Sequence, residues 1–121
     1  MDRKTIALEF LQHARLGQRD AAAALVTADA KHHNPYFAAG MPALLDAMIA
    51  AAVSMPDREM HVKHVVAEGD FVAVHSHIIH RSGELGVAVM HLFRFEGDRI
   101  AELWDLGQPV PADNKNTDGM F

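Results

Sequence analysis

The sequence predicts an α+β domain in which three helices come first and an antiparallel sheet follows. Apolar residues recur with a period of about 3.6 in the first half of the chain and with a period of two after Pro56. Half of the 121 residues are apolar, which suits one core but not two. We therefore expect one domain over residues 1–121. Residues 112–121 should form a polar tail whose final Met120 and Phe121 either dock or remain free.

The three helices are predicted from apolar spacing and propensity. Apolar residues within 6–14 share one side of a helix, and residues 20–25 ("DAAAAL") favour a short second helix. The apolar stripe over residues 41–52 predicts a third helix that ends before Pro56. Residues 31–42 contain several helix-breaking residues and are predicted to be a loop.

Four strands are predicted after the helices. Residues 60–70, 71–80, 86–95 and 99–108 are rich in β-branched or alternating apolar residues, and glycine-containing turns separate them. The simplest arrangement is an antiparallel meander with the helices on one face.

Composition excludes several classes of function. The chain has no cysteine, so it has no disulfide, thiol nucleophile or thiolate metal site. A net charge of −5 without a run of Lys or Arg argues against nucleic acid as a partner. No segment approaches the roughly 18 apolar residues of a membrane span, and the first residues lack the apolar core of a signal peptide. We expect a cytoplasmic protein with no membrane partner.

Histidine is the unusual residue, with nine copies in the chain. His75 and His77 are two apart on a predicted strand and therefore share a face, as in a metal-binding H-x-H pair. They could equally form the polar wall of a pocket, because Val72, Val74 and Ser76 occupy the alternate face. No third ligand stands at a diagnostic spacing, so we expect no metal and no cofactor, with the His75–His77 pair as the only metal candidate.

Asp105 interrupts the apolar pattern of the last strand, beside Trp104. One interpretation is an edge carboxylate or an ion pair with Arg94 or Arg99. The other is a pocket carboxylate that exchanges a proton, in which case it should share a face with His91. A three-residue loop at 96–98 would place both residues on one face, whereas a two-residue turn would separate them unless a bulge intervenes.

Several motifs together resemble one family. They are "HHNP" at residues 32–35, "EGDFVAVHSH" at 68–77, "HLFRFEGDRIAELWDLGQPVP" at 91–111 and "DGMF" at 118–121. The chain resembles the SnoaL-like polyketide cyclases of the nuclear transport factor 2-like superfamily, which implies a cone with a pocket between a strongly curved sheet and the helices. In that family a His and an Asp on the last two strands serve aldol ring closure, and His91 and Asp105 match them. Gln108 stands where many relatives carry an Asp.

The function expected from the resemblance is cofactor-independent proton transfer next to the carbonyl of a small molecule, as in aldol-type cyclisation or isomerisation. Asp105 would be the acid and base, and His91 would orient it or polarise the carbonyl. The candidate substrate-binding residues are His33, Asn34, Tyr36, His75, His77, Phe93 and Gln108. The alternative is a ligand-binding or accessory domain that keeps the cone without catalysis. Exposed Ile100, Trp104 or Leu106 would favour a homodimer through the outer sheet face.

Overall fold

The computed structural model describes residues 1–121 and shows three helices and five strands. In chain order the elements are α1 (Arg3–Arg15), α2 (Arg19–Ala23), β1 (Val26–His32), α3 (Met41–Ser54), β2 (Glu59–Glu68), β3 (Phe71–Ile79), β4 (Val87–Glu96) and β5 (Arg99–Pro109). The predicted α+β class and the three helices are confirmed. None of the helices combines the length and the apolarity that crossing a bilayer requires.

The sheet is curved and unclosed, with the strand order β1-β5-β4-β3-β2. Strands β2 to β5 form the predicted antiparallel meander, but β1 pairs with β5 in parallel, so the sheet is mixed. The prediction missed β1, part of which lies in the segment predicted to be a loop. Its buried residues Val26, Ala30 and His32 do not follow a continuous alternation, because the register shifts between Val26 and Lys31.

One face of the sheet packs on the helices and is here called the inner face. Asp2 starts α1 by accepting a hydrogen bond from the Thr5 amide at 2.8 Å, which satisfies one free N–H of the first turn. Phe10 of α1 packs edge-on against Phe93 of β4, with ring centroids 5.9 Å apart. The buried core comprises Ile6, Ala7, Phe10, Leu11, Ala22, Val26, Ala30, Met41, Leu44, Leu45, Val72, Val74, Phe93, Phe95, Ile100 and Leu103.

A bulge in β5 determines which of its residues reach the inner face. Glu96 pairs with Arg99 across a two-residue turn, and the register then shifts between the pairs Phe95–Ile100 and Arg94–Glu102. The extra residue, Ala101, allows Ile100 and Leu103 to be buried on the same face although they are three apart. Ile100 therefore lies in the core, which corrects its expected place on the outer surface.

The opposite, outer face of the sheet has no helix on it. It exposes apolar side chains of four strands, including Val66, Phe71, Met90 and Leu106. Residues after β5 contain no helix or strand, but Phe121 stacks on His77 with ring centroids 4.4 Å apart. The end of the tail therefore docks on the outer face and is not free.

Candidate functional site

His91 of β4 is a buried titratable residue of the inner face. Its side chain stacks on Phe93, with centroids 6.1 Å apart, and its Nδ1 is buried without a hydrogen-bond partner. Phe93 itself is fully buried and supports His91 from the core, and its predicted contact with a substrate stays a prediction. An unsatisfied buried nitrogen costs free energy, which makes His91 a candidate for binding a polar ligand atom.

A cavity of about 80 Å³ lies against His91, between the sheet and helices α1 and α3. Its wall is mainly apolar and consists of Leu11, Ala14, Arg15, Met48, Arg58, Met60, Ile78 and His91. This volume holds a few water molecules or a ligand of a few heavy atoms. His91 is the only candidate from the sequence that lines it.

Burial lowers the pKa of His91 to about 4, and the negative charge of Asp105 partly opposes this shift. The ring is therefore neutral at pH 7 and can accept a proton. When a proton arrives, the adjacent carboxylate stabilises the resulting imidazolium. A neutral imidazole beside a carboxylate can accept and return a proton, although general acid/base catalysis is most efficient when the pKa of the base lies near the working pH, above the value of about 4 found here.

Asp105 is the direct cross-strand partner of His91. The turn has two residues and the bulge at Ala101 restores the shared face, which is the second of the two registers that the sequence left open. Asn34 donates from Nδ2 to Asp105 Oδ2 at 3.1 Å, and its own Oδ1 accepts from the Tyr36 amide at 2.9 Å. Asn34 thus orients the carboxylate, while the Tyr36 side chain is 86% exposed and contributes only its backbone.

His32, which the sequence did not single out as functional, fixes the loop that carries Asn34. Its Nδ1 accepts from the Asn34 amide at 3.1 Å and its Nε2 lies 2.7 Å from the Ala38 carbonyl oxygen. Because Nδ1 accepts a hydrogen bond, the ring carries its proton on Nε2 and donates it to the Ala38 carbonyl. The only available signal was its position in the "HHNP" motif, which also contains Asn34.

His33 is next to His32 but lies on the other side of the sheet. Its ring stacks on Trp104, with centroids 5.0 Å apart, and its Nε2 lies 2.6 Å from Glu102 Oε2. Arg94 donates to the other oxygen of Glu102 at 3.1 Å. The structure therefore places His33 in an outer ion-pair network, and the expectation that it lies over the same pocket as His91 is corrected.

His75, His77 and Gln108 also lie on the outer face. On β3 the buried inner residues are Val72, Val74 and Ser76, so the alternating histidines point away from His91. His75 stacks on His64, and the Nε2 of His77 lies 2.8 Å from the carbonyl oxygen of Leu85. Gln108 lines a shallow outer depression beside His75. These three residues therefore lie away from the cavity that His91 lines, and their role in binding a substrate stays a prediction.

The outer histidines form a cluster without a metal geometry. His64 Nδ1 and His75 Nδ1 are 3.0 Å apart, and His61 lies over His77 with centroids 6.2 Å apart. No group of three or more His, Cys, Asp or Glu side chains is arranged to hold a metal ion.

Two arginines of the cavity were missed by the sequence analysis. Arg15 lies in the last turn of α1 and Arg58 just before β2, and the Arg15 guanidinium donates to the Arg58 carbonyl at 3.5 Å. Their separation in sequence, and the absence of a motif around either, left no local signal for this pairing.

Comparison with known families identifies the class of protein. The model of the SnoaL-like domain matches residues 7–103, which is most of the chain, so the protein belongs to the SnoaL-like domain family. The match includes His91 and ends two residues before Asp105. A search of curated proteins gave no significant match.

Solved structures support the nuclear transport factor 2-like fold. An NTF2-like protein of unknown function from Cytophaga hutchinsonii is 19% identical, with a TM-score of 0.72 over 90% of this chain and 92% of that chain. IdmH, a candidate polyketide cyclase from Streptomyces antibioticus, is 17% identical, with a TM-score of 0.71 over 89% and 93%. A candidate polyketide cyclase from Sinorhizobium meliloti is 20% identical, with a TM-score of 0.70 over 84% and 94%. At these identities the likeness concerns the fold.

Proposed function

We propose that the protein is a cofactor-independent enzyme that moves a proton on a carbon next to a carbonyl group, as in aldol-type cyclisation or isomerisation. The observation that carries this proposal is a buried, neutral His91 that lines an apolar cavity and pairs with Asp105. The candidate cyclases among the structural relatives agree with this class of chemistry.

His91, rather than Asp105, is the group we assign to proton transfer. His91 lines the cavity, whereas Asp105 lies beside it on β5 and hydrogen-bonds Asn34 outside the cavity wall. The neutral imidazole would take a proton from the carbon, leaving the C–H electron pair in an enolate, and would then return that proton. Asp105 would stabilise the imidazolium while His91 holds the proton. The sequence analysis expected the reverse, with Asp105 as the acid and base and His91 as the group that orients it.

Ser76 gives the inner face a second polar group without a partner. Its Oγ is fully buried on β3, two residue pairs away from His91 along the β3–β4 ladder and on the same face. A buried hydroxyl without a hydrogen bond is costly, and a ligand oxygen or an ordered water would satisfy it.

The small volume of the cavity favours one alternative function, which is binding of a small ligand without catalysis. Ligand pockets commonly measure about 300 to 1,000 Å³, well above the 80 Å³ found against His91. A domain that binds a very small ligand without converting it would fit this volume, so activity has to be tested directly rather than inferred from binding.

We also propose a homodimer through the outer face. Leu106 is 73% exposed and Met90 39% exposed, and both lie in the same apolar region of the sheet as Phe71. A second copy would remove this surface from water.

Solvent deuterium exchange tests the proposed chemistry. Wild-type protein in D₂O should accelerate exchange of the protons next to the carbonyl in 2-butanone or pyruvate, as followed by proton NMR. His91→Gln should lose about 100- to 10,000-fold of that acceleration. His75→Gln, the same substitution on the outer face of the neighbouring strand, should keep the wild-type rate. Wild-type exchange at the buffer rate, or an unchanged His91→Gln variant, would refute the assignment.

A further inference from the structure

Two positive charges without an anionic partner flank the cavity that contains His91. Arg15 and Arg58 both line it and are both half-buried. The ion pairs of the protein involve Arg3, Arg19, Arg94, His33 and His61, and no carboxylate lies within ion-pair distance of the two cavity arginines. A charge that is partly removed from water is normally paired, so these two guanidiniums lack the group that would usually accompany them.

The hydrogen bonds of the two arginines leave donors free. Arg15 donates to the side chain of Gln12, at 3.1 Å from Nη2, and to the backbone oxygen of Arg58. The guanidinium of Arg58 makes no hydrogen bond. Guanidinium groups have donors in a fixed fork that matches the two oxygens of a carboxylate.

The two charges also disfavour each other. Burial lowers the pKa of Arg58, and the neighbouring positive charge of Arg15 lowers it further. An anion bound between them would relieve both effects. The cavity wall contains no Asp or Glu, so no carboxylate of the protein repels a bound anion or takes its place.

From these observations we infer that the cavity takes a small carboxylate ligand, with its carboxylate at Arg15 and Arg58 and its carbonyl-bearing end toward His91. The inference deepens the proposed function by naming the substrate class as a small oxo acid. The positive groups are half-buried and His91 is buried, so the anionic end would lie toward solvent. The apolar side chains of Leu11, Met48 and Met60 would contact the carbon chain.

Pyruvate and pyruvamide provide a matched pair of probes, since they have nearly the same shape and differ in charge. Binding would be measured from the NMR shifts of the labelled methyl groups of Met48 and Met60. Pyruvate should bind about tenfold more tightly than pyruvamide at low salt, and added salt should reduce that preference. Arg15→Gln and Arg58→Gln should each remove most of the preference without weakening the binding of pyruvamide.

Two control variants make the result interpretable. Arg81→Gln removes the same charge from an exposed turn and should leave the preference unchanged. Arg58→Lys keeps the charge but loses the fork of donors, so its preference for pyruvate should lie between that of Arg58→Gln and that of the wild type, which separates the loss of charge from a loss of folding. Equal binding of the two probes, no binding of either to the wild type, or an effect of Arg81→Gln as large as that of Arg58→Gln would overturn the inference.

The same samples distinguish this inference from the proposed function. Arginine-dependent binding of pyruvate without any deuterium exchange would support the carboxylate site and refute proton transfer. Exchange that needs His91 but proceeds equally with pyruvate and pyruvamide, together with equal binding of the two, would support proton transfer and refute the carboxylate site.

Discussion

The two faces of the sheet use histidine in opposite ways. The inner face has one histidine of β4, His91, which is buried with an unpartnered Nδ1. The outer face has His61, His64, His75 and His77, whose rings lie against one another or against Phe121 and are exposed or half-buried. The burial and the hydrogen-bond partners of a histidine in these strands therefore depend on which face of the sheet its position reaches. The number of histidines in the sequence does not indicate how many of them contribute to one site.

The largest effect expected from this contrast concerns stability in acid. His91 has a pKa of about 4 in the folded state and an ordinary value near 6.5 when unfolded. Between these values the unfolded state binds more protons, so the stability contributed by neutral His91 is present above pH 6.5 and lost as the pH falls to 4. The loss should be about 3 kcal/mol.

Urea denaturation of the wild type and of His91→Gln at pH 7.5 and pH 4.5 measures this difference. The wild type should lose more stability than the variant on acidification, whereas His75→Gln should behave as the wild type does. If all three proteins lost stability equally, the burial of His91 would not govern its titration.

The proposed dimer through the outer face can be tested in solution. Leu106→Glu puts a charge into the apolar region and should weaken a dimer by about 100-fold, because a buried unpaired charge is costly. Sedimentation equilibrium measures the dissociation constant. Val53→Glu, on an exposed position of α3, is the matched control. A wild-type protein that is monomeric at all concentrations would contradict the proposed dimer.

A smaller effect is expected where the tail meets the outer histidines. Phe121 stacks on His77 and lies under the Lys63 ammonium, 5.5 Å from the ring centroid. Phe121→Ala should lower the free energy of unfolding by about 0.5 to 1 kcal/mol. Tyr36→Ala removes an exposed ring and should change it by less. A loss above about 3 kcal/mol for Phe121→Ala would mean that the tail belongs to the folding core.

Much of the fold could be predicted because local periodicity encodes it. The apolar stripes of α1 and α3 and the alternation of β3 indicate both the elements and their buried faces. β1 could not be found in this way, because its short parallel pairing with β5 joins residues about 70 positions apart and its register is irregular. Of the segment predicted to be a loop, residues 31–32 belong to β1 and residues 41–42 to α3.

The site was harder to predict because it depends on a single inserted residue. Ala101 decides whether Asp105 faces His91, and the sequence left that register open. One signal could have resolved it. Ile100 and Leu103 are apolar and three apart, so a regular strand cannot bury both, whereas a bulge can. The arginines of the cavity carry no such signal, since Arg15 of α1 meets Arg58, in the connection between α3 and β2, only in the folded chain.

The inner face is tested most directly by a double-mutant cycle of His91→Gln and Asp105→Asn in the deuterium-exchange assay, with Asp98→Asn in the exposed turn as a control. If the two residues act as a unit, the double variant should lose no more rate than His91→Gln alone, and Asp98→Asn should match the wild type. Losses that multiply, or a wild type that exchanges no faster than buffer, would contradict an Asp105–His91 proton-transfer pair.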